Sequence, residues 1–204
     1  MLVVGLTGSI GTGKSTVAGM FRELGAYTVD WDELARNAVR PRSEAWEEIV
    51  ECFGEEFLNE DLTLNRQKLA GAVFNNDEMR GRLNRIVHPQ VVKEDQRITE
   101  EIRGRDADAI IVKDIPLLHE SDLNIVVDKT VVVRASEQAR LRRLQERGMN
   151  PADARMRMRS QLPLDEKVKA ADFVIDNDGS LEETRRQVER IYSSLRGLVH
   201  RGQA

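Results

Sequence analysis

Residues 8–15 read GSIGTGKS, a glycine-rich run followed by a lysine and a hydroxyl that could bind the phosphates of a nucleotide. The run fits the pattern G-x-x-x-x-G-K-[ST], whose glycines let backbone N–H groups converge on an anion. Lys14 is expected to reach the β- and γ-phosphates of ATP, and the Ser15 hydroxyl to bind Mg²⁺. A plain glycine turn needs neither group. The run therefore predicts a nucleotide site formed by Gly8, Gly11, Thr12, Gly13, Lys14, Ser15 and Thr16.

Three carboxylates follow apolar runs, at positions where open α/β sheets bind their ligands beyond the strand ends. One of Asp30 and Asp32 could accept the proton of an attacking hydroxyl, and the other could hold a water on Mg²⁺. Asp114 is placed like a Walker-B carboxylate, which would help to hold Mg²⁺ through water. The alternatives are a helix N-cap for Asp32, a turn residue for Asp30 and an ordinary strand end for Asp114.

Seven arginines between Arg140 and Arg159 form a local anion site in an otherwise acidic chain. Arg143 and Arg147 are spaced i, i+4 at the end of a predicted helix and therefore share a face. Their guanidinium groups could stack on an adenine or clamp phosphate oxygens in the transition state. Arg155, Arg157 and Arg159 extend the run into what could be a mobile lid, although most helical arginines are only solvated.

Three other segments give weaker indications of a binding site. The pair His88-Pro89 predicts a helix start, because proline favours the first helical position, and His88 could also contact an anionic acceptor. The turn Asp176-Asn177-Asp178-Gly179 follows the last predicted strand, where it could line an adenine pocket or be a plain turn. Leu117 and Leu118 are expected to form a hydrophobic wall, and Glu120 faces either the site or solvent.

Five apolar runs predict the parallel strands that position these groups. They cover residues 2–6, 27–29, 109–112, 130–133 and 173–175. Helical patterns separate the runs, so we expect a doubly wound α/β fold of the P-loop kinase type, with helices on both faces of a five-stranded parallel sheet. Near-continuous apolar strands suit a sheet covered on both faces.

Two long insertions interrupt this core, and they predict a separate acceptor lobe and a lid. The core comprises residues 1–38, 109–147 and 170–204. Residues 39–108 hold several amphipathic patterns and are expected to form a helical lobe for the acceptor. Residues 148–169 are arginine-rich and are expected to form a lid.

Composition excludes several classes of protein. At 40% hydrophobic residues the chain can build a core, and its net charge of −4 gives no support to nucleic-acid binding. One cysteine permits no disulfide framework and fits a reducing compartment. No apolar stretch approaches membrane-spanning length, so we expect a cytosolic protein without a membrane partner. The sequence does not fix an oligomeric state.

Seven segments in order over nearly the whole chain resemble the dephospho-CoA kinase family. They read GLTGSIGTGKST, VDWDELAR, LNRQKLAGAVF, IVHPQV, DIPLLHE, RLRRLQERG and QLPLDEKVKAADFVIDNDGS. The phosphate loop alone would indicate only the superfamily. The pattern LNR-x-x-LA-x-x-VF, the HP pair and PLL-x-E followed by AD-x-VI-x-N-x-G are much more specific.

The resemblance implies transfer of the ATP γ-phosphoryl group, with Mg²⁺, to the ribose 3′-hydroxyl of dephospho-CoA, a small-molecule substrate. It implies that Asp32 is the general base and that Arg143 and Arg147 are the lid arginines. It implies that Asn65, Arg66 and His88 lie near the acceptor. The other predicted acceptor residues are Asp30, Leu117, Leu118 and Glu120, and Asn177 is a predicted nucleotide contact.

Two residues depart from the family pattern. Trp31 replaces a commonly small residue between the two aspartates, and we expect its indole to pack beneath the acceptor sugar or to change its fit. His119 replaces an aromatic residue and could alter contacts along the pantetheine arm or the lid. Neither belongs to the residues expected to transfer the phosphoryl group.

Three other functions compete with this one. A nucleotide or nucleoside kinase shares the loop and lid, with a smaller acceptor lobe. A GTP-dependent switch requires a guanine-specifying [NT]-K-x-D motif, which the sequence lacks. A catalytically silent nucleotide-binding module is disfavoured by the intact Lys14, Ser15, Asp32 and Asp114.

Overall fold

A computed structural model describes residues 1–74, 76–116, 118 and 125–201 of the 204-residue chain. Within this part, the chain divides into two compact units. The first comprises Met1–Asp30 and Thr99–Ala204, and the second comprises Trp31–Ile98. No helix in the described ranges combines the length and the apolar character that crossing a bilayer requires.

The first unit is built on a parallel five-stranded sheet, as the apolar runs predict. Its strands are β1 (Leu2–Thr7), β2 (Tyr27–Asp30), β3 (Ile110–Asp114), β4 (Lys129–Arg134) and β5 (Phe173–Asp176). Their order across the sheet is β2-β3-β1-β4-β5. Each strand ends one or two residues after its predicted carboxyl end, and β3 and β4 also shift their starts by one residue. Polar residues such as Asp30 and Asp114 continue the strand pairing, and a search for apolar runs does not include them.

Helices cover this sheet and connect its strands. They are α1 (Lys14–Glu23), α6 (Glu137–Glu146), α7 (Pro151–Arg159), α8 (Leu164–Lys169) and α9 (Leu181–Arg201). The core lies between the strands, α1 and α9, and it includes Leu6, Phe21, Ile110 and Leu195 without solvent exposure above 1%. Burying side chains of this size contributes roughly 1.5–3 kcal/mol each, so the core fixes the strand ends that carry the polar groups.

The second unit is helical. It contains α2 (Trp31–Ala38), α3 (Glu44–Phe53), a 3₁₀ turn (Glu55–Phe57), α4 (Arg66–Phe74) and most of α5 (Asp77–Arg105). Ile49, Phe53, Phe57 and Leu64 form its buried centre. Phe53 and Phe57 meet edge to face, with ring centroids 6.2 Å apart.

The unit boundaries differ from the predicted lobe of residues 39–108. Helix α2 falls in the second unit, and residues 99–108 fall in the first. The long helix α5 contributes to both units without a break. The assignment of one lobe to the acceptor, and of residues 148–169 to a lid, stays a prediction.

The predicted helix start at His88-Pro89 is wrong. Pro89 lies inside α5, which runs uninterrupted for 29 residues. Proline lacks the N–H that would bond to the carbonyl four residues earlier, and this costs an isolated helix about 3 kcal/mol. Apolar side chains on both sides of Pro89 offset that cost, since Ile86 and Val87 pack against the helical core and Val91 is buried.

Candidate functional site

The glycine-rich loop between β1 and α1 has the backbone that its sequence predicts. Gly11 and Gly13 have φ values of 82° and 87°, in the left-handed region that favours glycine. Gly13 precedes the first turn of α1, so the loop ends at a helix N-terminus whose partial positive charge attracts phosphate. A Cβ on Gly13 would collide with the amide nitrogen of Asn177.

Asn177 holds this loop from the far end of the chain. Its buried Nδ2 donates to the Thr12 carbonyl at 2.7 Å, and its Oδ1 accepts from Thr184 Oγ1 at 2.8 Å. Both ends of the amide are therefore bound within the protein. Asn177, predicted as a nucleotide contact, therefore fixes the glycine-rich loop through the Thr12 carbonyl.

Arg143 braces the same loop from α6. Its guanidinium donates to the Asn177 carbonyl at 2.5 Å and to the Thr12 carbonyl at 3.3 Å. A longer contact of 3.5 Å reaches the Gly11 carbonyl. The side chain predicted to stack on adenine or clamp phosphate thus has a structural function as well.

A cavity of about 350 Å³ opens beside the loop, in the lower range of ligand pockets. The predicted residues that line it are Gly13, Thr16, Arg143, Arg147 and Asn177, and the structure brings all five together. Arg147 is exposed at the end of α6. Leu181, an exposed apolar residue at the start of α9, also lines the cavity and was not predicted. A purine ring could pack between such an apolar side chain and a guanidinium plane.

Lys14 forms an ion pair with Asp114 at the carboxyl edge of the sheet. Their side chains are only 15% and 9% exposed, so solvent screens this pair weakly. Asp114 lies in register with Leu6 on β1 and with Asp30 on β2. The sheet therefore brings Lys14, Asp30 and Asp114 to one edge of the first unit, as the sequence predicts.

Ser15 and Thr16 occupy the next positions of α1, and both are exposed. The Thr16 N–H points back to the Gly13 carbonyl at 3.0 Å. Ser15 has a hydroxyl oxygen and Asp114 has carboxylate oxygens. Mg²⁺ prefers oxygen ligands of these kinds.

Asp32 lies in the first turn of α2, one position inside the helix rather than at its N-cap. Asp32 is exposed. Trp31, which separates it from Asp30, is buried in the second unit, and its indole N–H donates to Asp95 at 3.0 Å. The expectation that this indole packs beneath the acceptor sugar or changes its fit stays a prediction, and its N–H is already bound within the helical unit.

Sequence reasoning missed a second brace on the glycine-rich loop. The Ile10 N–H donates to Gln161 at 2.8 Å, and the Ile10 carbonyl accepts from Arg140 Nε at 2.9 Å. Arg140 is buried, and desolvation lowers its pKa, although Glu137 partly opposes that shift. Arg140 is one of seven neighbouring arginines in the sequence, so no spacing signal separated it from the solvated ones.

Of the predicted acceptor residues, Asp32, Asn65, Arg66 and His88 lie in the second unit, and Asp30 lies in the first. Asn65 caps α4 by accepting the Lys68 N–H at 2.9 Å, and Arg66 donates to the Arg36 carbonyl at 3.3 Å. His88 lies within α5, where burial lowers its pKa, so its neutral form is favoured at pH 7. Leu118 packs near Gly5, whereas Leu117, His119 and Glu120 lie outside the described residues.

Known proteins resemble this chain in sequence and in fold. A dephospho-CoA kinase family model matches residues 2–183. The dephospho-CoA kinase of Geobacillus kaustophilus is 48% identical over 188 residues, which cover 92% of this chain and 93% of that protein. The crystal structure of TT1252 from Thermus thermophilus superposes with a TM-score of 0.81 at 34% identity, covering 95% of this chain and 97% of its own. The dephospho-CoA kinase from Campylobacter jejuni gives 0.71 at 25% identity, covering 96% and 97%.

Proposed function

The chain belongs to the dephospho-CoA kinase family, and we propose that it transfers the γ-phosphoryl group of ATP directly to the ribose 3′-hydroxyl of dephospho-CoA. ATP-dependent phosphorylation of dephospho-CoA is the family's reaction, and it completes coenzyme A synthesis. The observation that carries the mechanism is the glycine-rich loop, braced at Ile10 and Thr12, with Lys14 paired with the buried Asp114.

The donor is held by the loop and the start of α1. Backbone N–H groups of the loop, together with the α1 N-terminus, provide a concentrated positive potential for the phosphates. On binding ATP, Lys14 exchanges its contact with Asp114 for the β- and γ-phosphates. The adenine is proposed to occupy the cavity lined by Arg143, Arg147 and Leu181.

Ser15 and Asp114 are proposed to hold Mg²⁺, with Asp114 acting through water. Kinase sites bind this ion with one or two protein oxygens and complete its shell with phosphate and water. The Ser15 hydroxyl and the Asp114 carboxylate would supply these two protein oxygens. When bound, Mg²⁺ neutralises charge on the β- and γ-phosphates.

Asp32 is proposed to orient the 3′-hydroxyl and to take its proton as the oxygen attacks the γ-phosphorus. Its exposed carboxylate, two residues beyond the end of β2, supports this function. Arg147 is proposed to stabilise negative charge on the moving phosphoryl group. Arg143 is proposed to supply further positive charge, and its contacts with the Gly11, Thr12 and Asn177 carbonyls make it a positioning residue as well.

An acceptor panel tests this function. ADP release with ATP and Mg²⁺ is measured with dephospho-CoA, AMP, adenosine or no acceptor. Release that requires dephospho-CoA and yields coenzyme A supports the proposal. Release driven by AMP or adenosine would assign the chain to the nucleotide or nucleoside kinases, and ATP binding without any acceptor-dependent release would indicate a silent binding module.

A further inference from the structure

A second cavity, of about 460 Å³, lies entirely within the helical unit and has an arginine-rich wall. The arginines come from three places: Arg36 on α2, Arg40 in the turn that follows it and Arg66 at the start of α4. We refer to it as the arginine cavity. Its volume lies within the range of small-molecule sites.

The charge of the arginine cavity is uncompensated. No acidic residue lines it among the described residues. Elsewhere in the same unit, arginines such as Arg80 and Arg82 pair with carboxylates one helical turn away. The cavity arginines instead contact neutral groups, because Arg40 donates to Asn37 Oδ1 at 2.7 Å and Arg66 donates to the Arg36 carbonyl at 3.3 Å. None of the three forms an ion pair within the described part of the chain, so the cavity favours an anion.

The walls around these arginines are ordered before any ligand binds. Val39 and Leu64 are buried in the helical core and form the apolar part of the lining. On the polar side, Asn59 Nδ2 donates to Thr63 Oγ1 at 2.9 Å, and the Asn59 N–H donates to the Thr63 carbonyl at 2.8 Å. Asp61, which is next to this wall in sequence, has its carboxylate bound by the Thr63 N–H and hydroxyl. These contacts order the Asn59 and Thr63 side of the arginine cavity.

We propose that the arginine cavity binds the diphosphate of the acceptor. This inference rests on the proposed function, which makes dephospho-CoA the acceptor. The diphosphate carries the negative charge of that molecule, and it links an adenosine to an apolar and amide-containing arm. Guanidinium groups bind phosphate oxygens in a planar, bidentate manner. The apolar wall of Val39 and Leu64 provides a surface for the start of the arm.

The test replaces Arg36 and Arg40, singly and together, by glutamine and measures the kinetic constants for each substrate. We expect the KM for dephospho-CoA to rise about 10-fold for each variant and about 100-fold for the pair, the loss typical of a hydrogen bond to a charged group. The KM for ATP and the kcat at saturating acceptor should change less than twofold. Arg80→Gln is the matched control, an exposed arginine of the same unit that is paired with Asp77 and lies outside the cavity.

The wild-type protein and a binding measurement separate this proposal from the proposed function. Wild-type turnover of dephospho-CoA reports the function itself. Titration calorimetry of dephospho-CoA into the wild type and the Arg36→Gln/Arg40→Gln double variant reports the arginine cavity, even without turnover. Weakened binding by the double variant supports the proposal, provided that thermal unfolding shows an intact fold. Affinity within twofold of wild type, or a rise in the KM for ATP instead, would overturn it.

Discussion

The proposed chemistry depends on one exposed carboxylate, Asp32, in the first turn of α2. Asp30 is the last residue of β2, and Trp31 between the two is buried, so the two carboxylates have different backbone environments. The proposed mechanism assigns proton transfer to Asp32 rather than to Asp30.

Replacing Asp32 by asparagine should lower kcat by roughly 10²- to 10⁴-fold, the contribution of a general base. The asparagine keeps the size of the side chain but accepts no proton at neutral pH. Steady-state kinetics with saturating dephospho-CoA and ATP measures the effect, and the KM for ATP should stay near that of the wild type. Asp77→Asn, which changes an exposed acid in the first turn of α5, is the control. Near-normal turnover of the Asp32 variant would remove that residue from the mechanism.

At the scale of structural elements, the loop between β1 and α1 is held by contacts that come from distant parts of the chain. Asn177 follows β5 and Arg143 lies on α6, yet both bind the Thr12 carbonyl. Gln161, between α7 and α8, binds the Ile10 N–H. The loop conformation is therefore shared between its own glycines and three other segments.

The conformation of Gly13 gives a prediction with a control in the same element. Gly13→Ala would have a positive φ and a collision with Asn177, so we expect ATP affinity to fall at least 10-fold. Gly19→Ala in α1 meets no atom within 4 Å and should stabilise the helix by roughly 0.5–1 kcal/mol. Titration with ATP and thermal unfolding distinguish the two. Equal ATP affinity for both variants would mean that the loop tolerates a side chain at Gly13.

Gln161 provides a test of the link between the arginine-rich segment and the loop. Gln161→Leu removes the acceptor for the Ile10 N–H, and we expect the KM for ATP to rise about 5- to 10-fold, as loss of one hydrogen bond allows. Gln161→Glu keeps an acceptor oxygen at the same distance and should recover most of that loss. Kinetics of both variants at saturating dephospho-CoA makes the comparison. If Gln161→Leu behaves like the wild type, the contact does not position the loop.

The sequence predicted the elements better than the contacts between them. Apolar runs located all five strands, since buried parallel strands need continuous apolar residues. The 29-residue helix α5 was not predicted, because a proline in the sequence alone indicates the start of a helix. Only the apolar contacts around Pro89 stabilise a helix that continues past it. Arg140 and Gln161 were missed for a similar reason, since their partner Ile10 is 130 and 151 residues away in sequence.

At the scale of the whole molecule, stability at low pH depends on carboxylates that accept several hydrogen bonds. Asp172 accepts from Lys129 Nζ at 2.7 Å and from the Thr130 N–H at 2.8 Å, which ties the segment before β5 to β4. The bond from Lys129, followed by those from Thr130, lowers the pKa of Asp172 below its ordinary 3.8, although partial burial opposes the shift. A lowered pKa in the folded state adds stability that is present above 3.8 and is lost as the pH falls through the folded value.

Asp172→Asn should therefore destabilise the protein at pH 7 by about 1 kcal/mol, since solvent screens a group that is partly exposed. The difference from wild type should shrink as the pH falls below 3.8. Urea unfolding at a series of pH values measures it. Asp77→Asn, whose carboxylate is in a highly exposed one-turn ion pair, should differ little from wild type at any pH. A difference for Asp172→Asn that is the same at pH 3 and pH 7 would contradict the assignment.

The central claim is the transfer of a phosphoryl group to one hydroxyl of one acceptor, and the structure of the product tests it most directly. Purified protein is incubated with ATP, Mg²⁺ and dephospho-CoA, and the product is examined by ³¹P NMR and by co-elution with coenzyme A. We predict one new phosphomonoester, located on the ribose 3′-oxygen, and one ADP for each molecule formed. ATP consumption without this product, or a phosphomonoester at another position, would contradict the account.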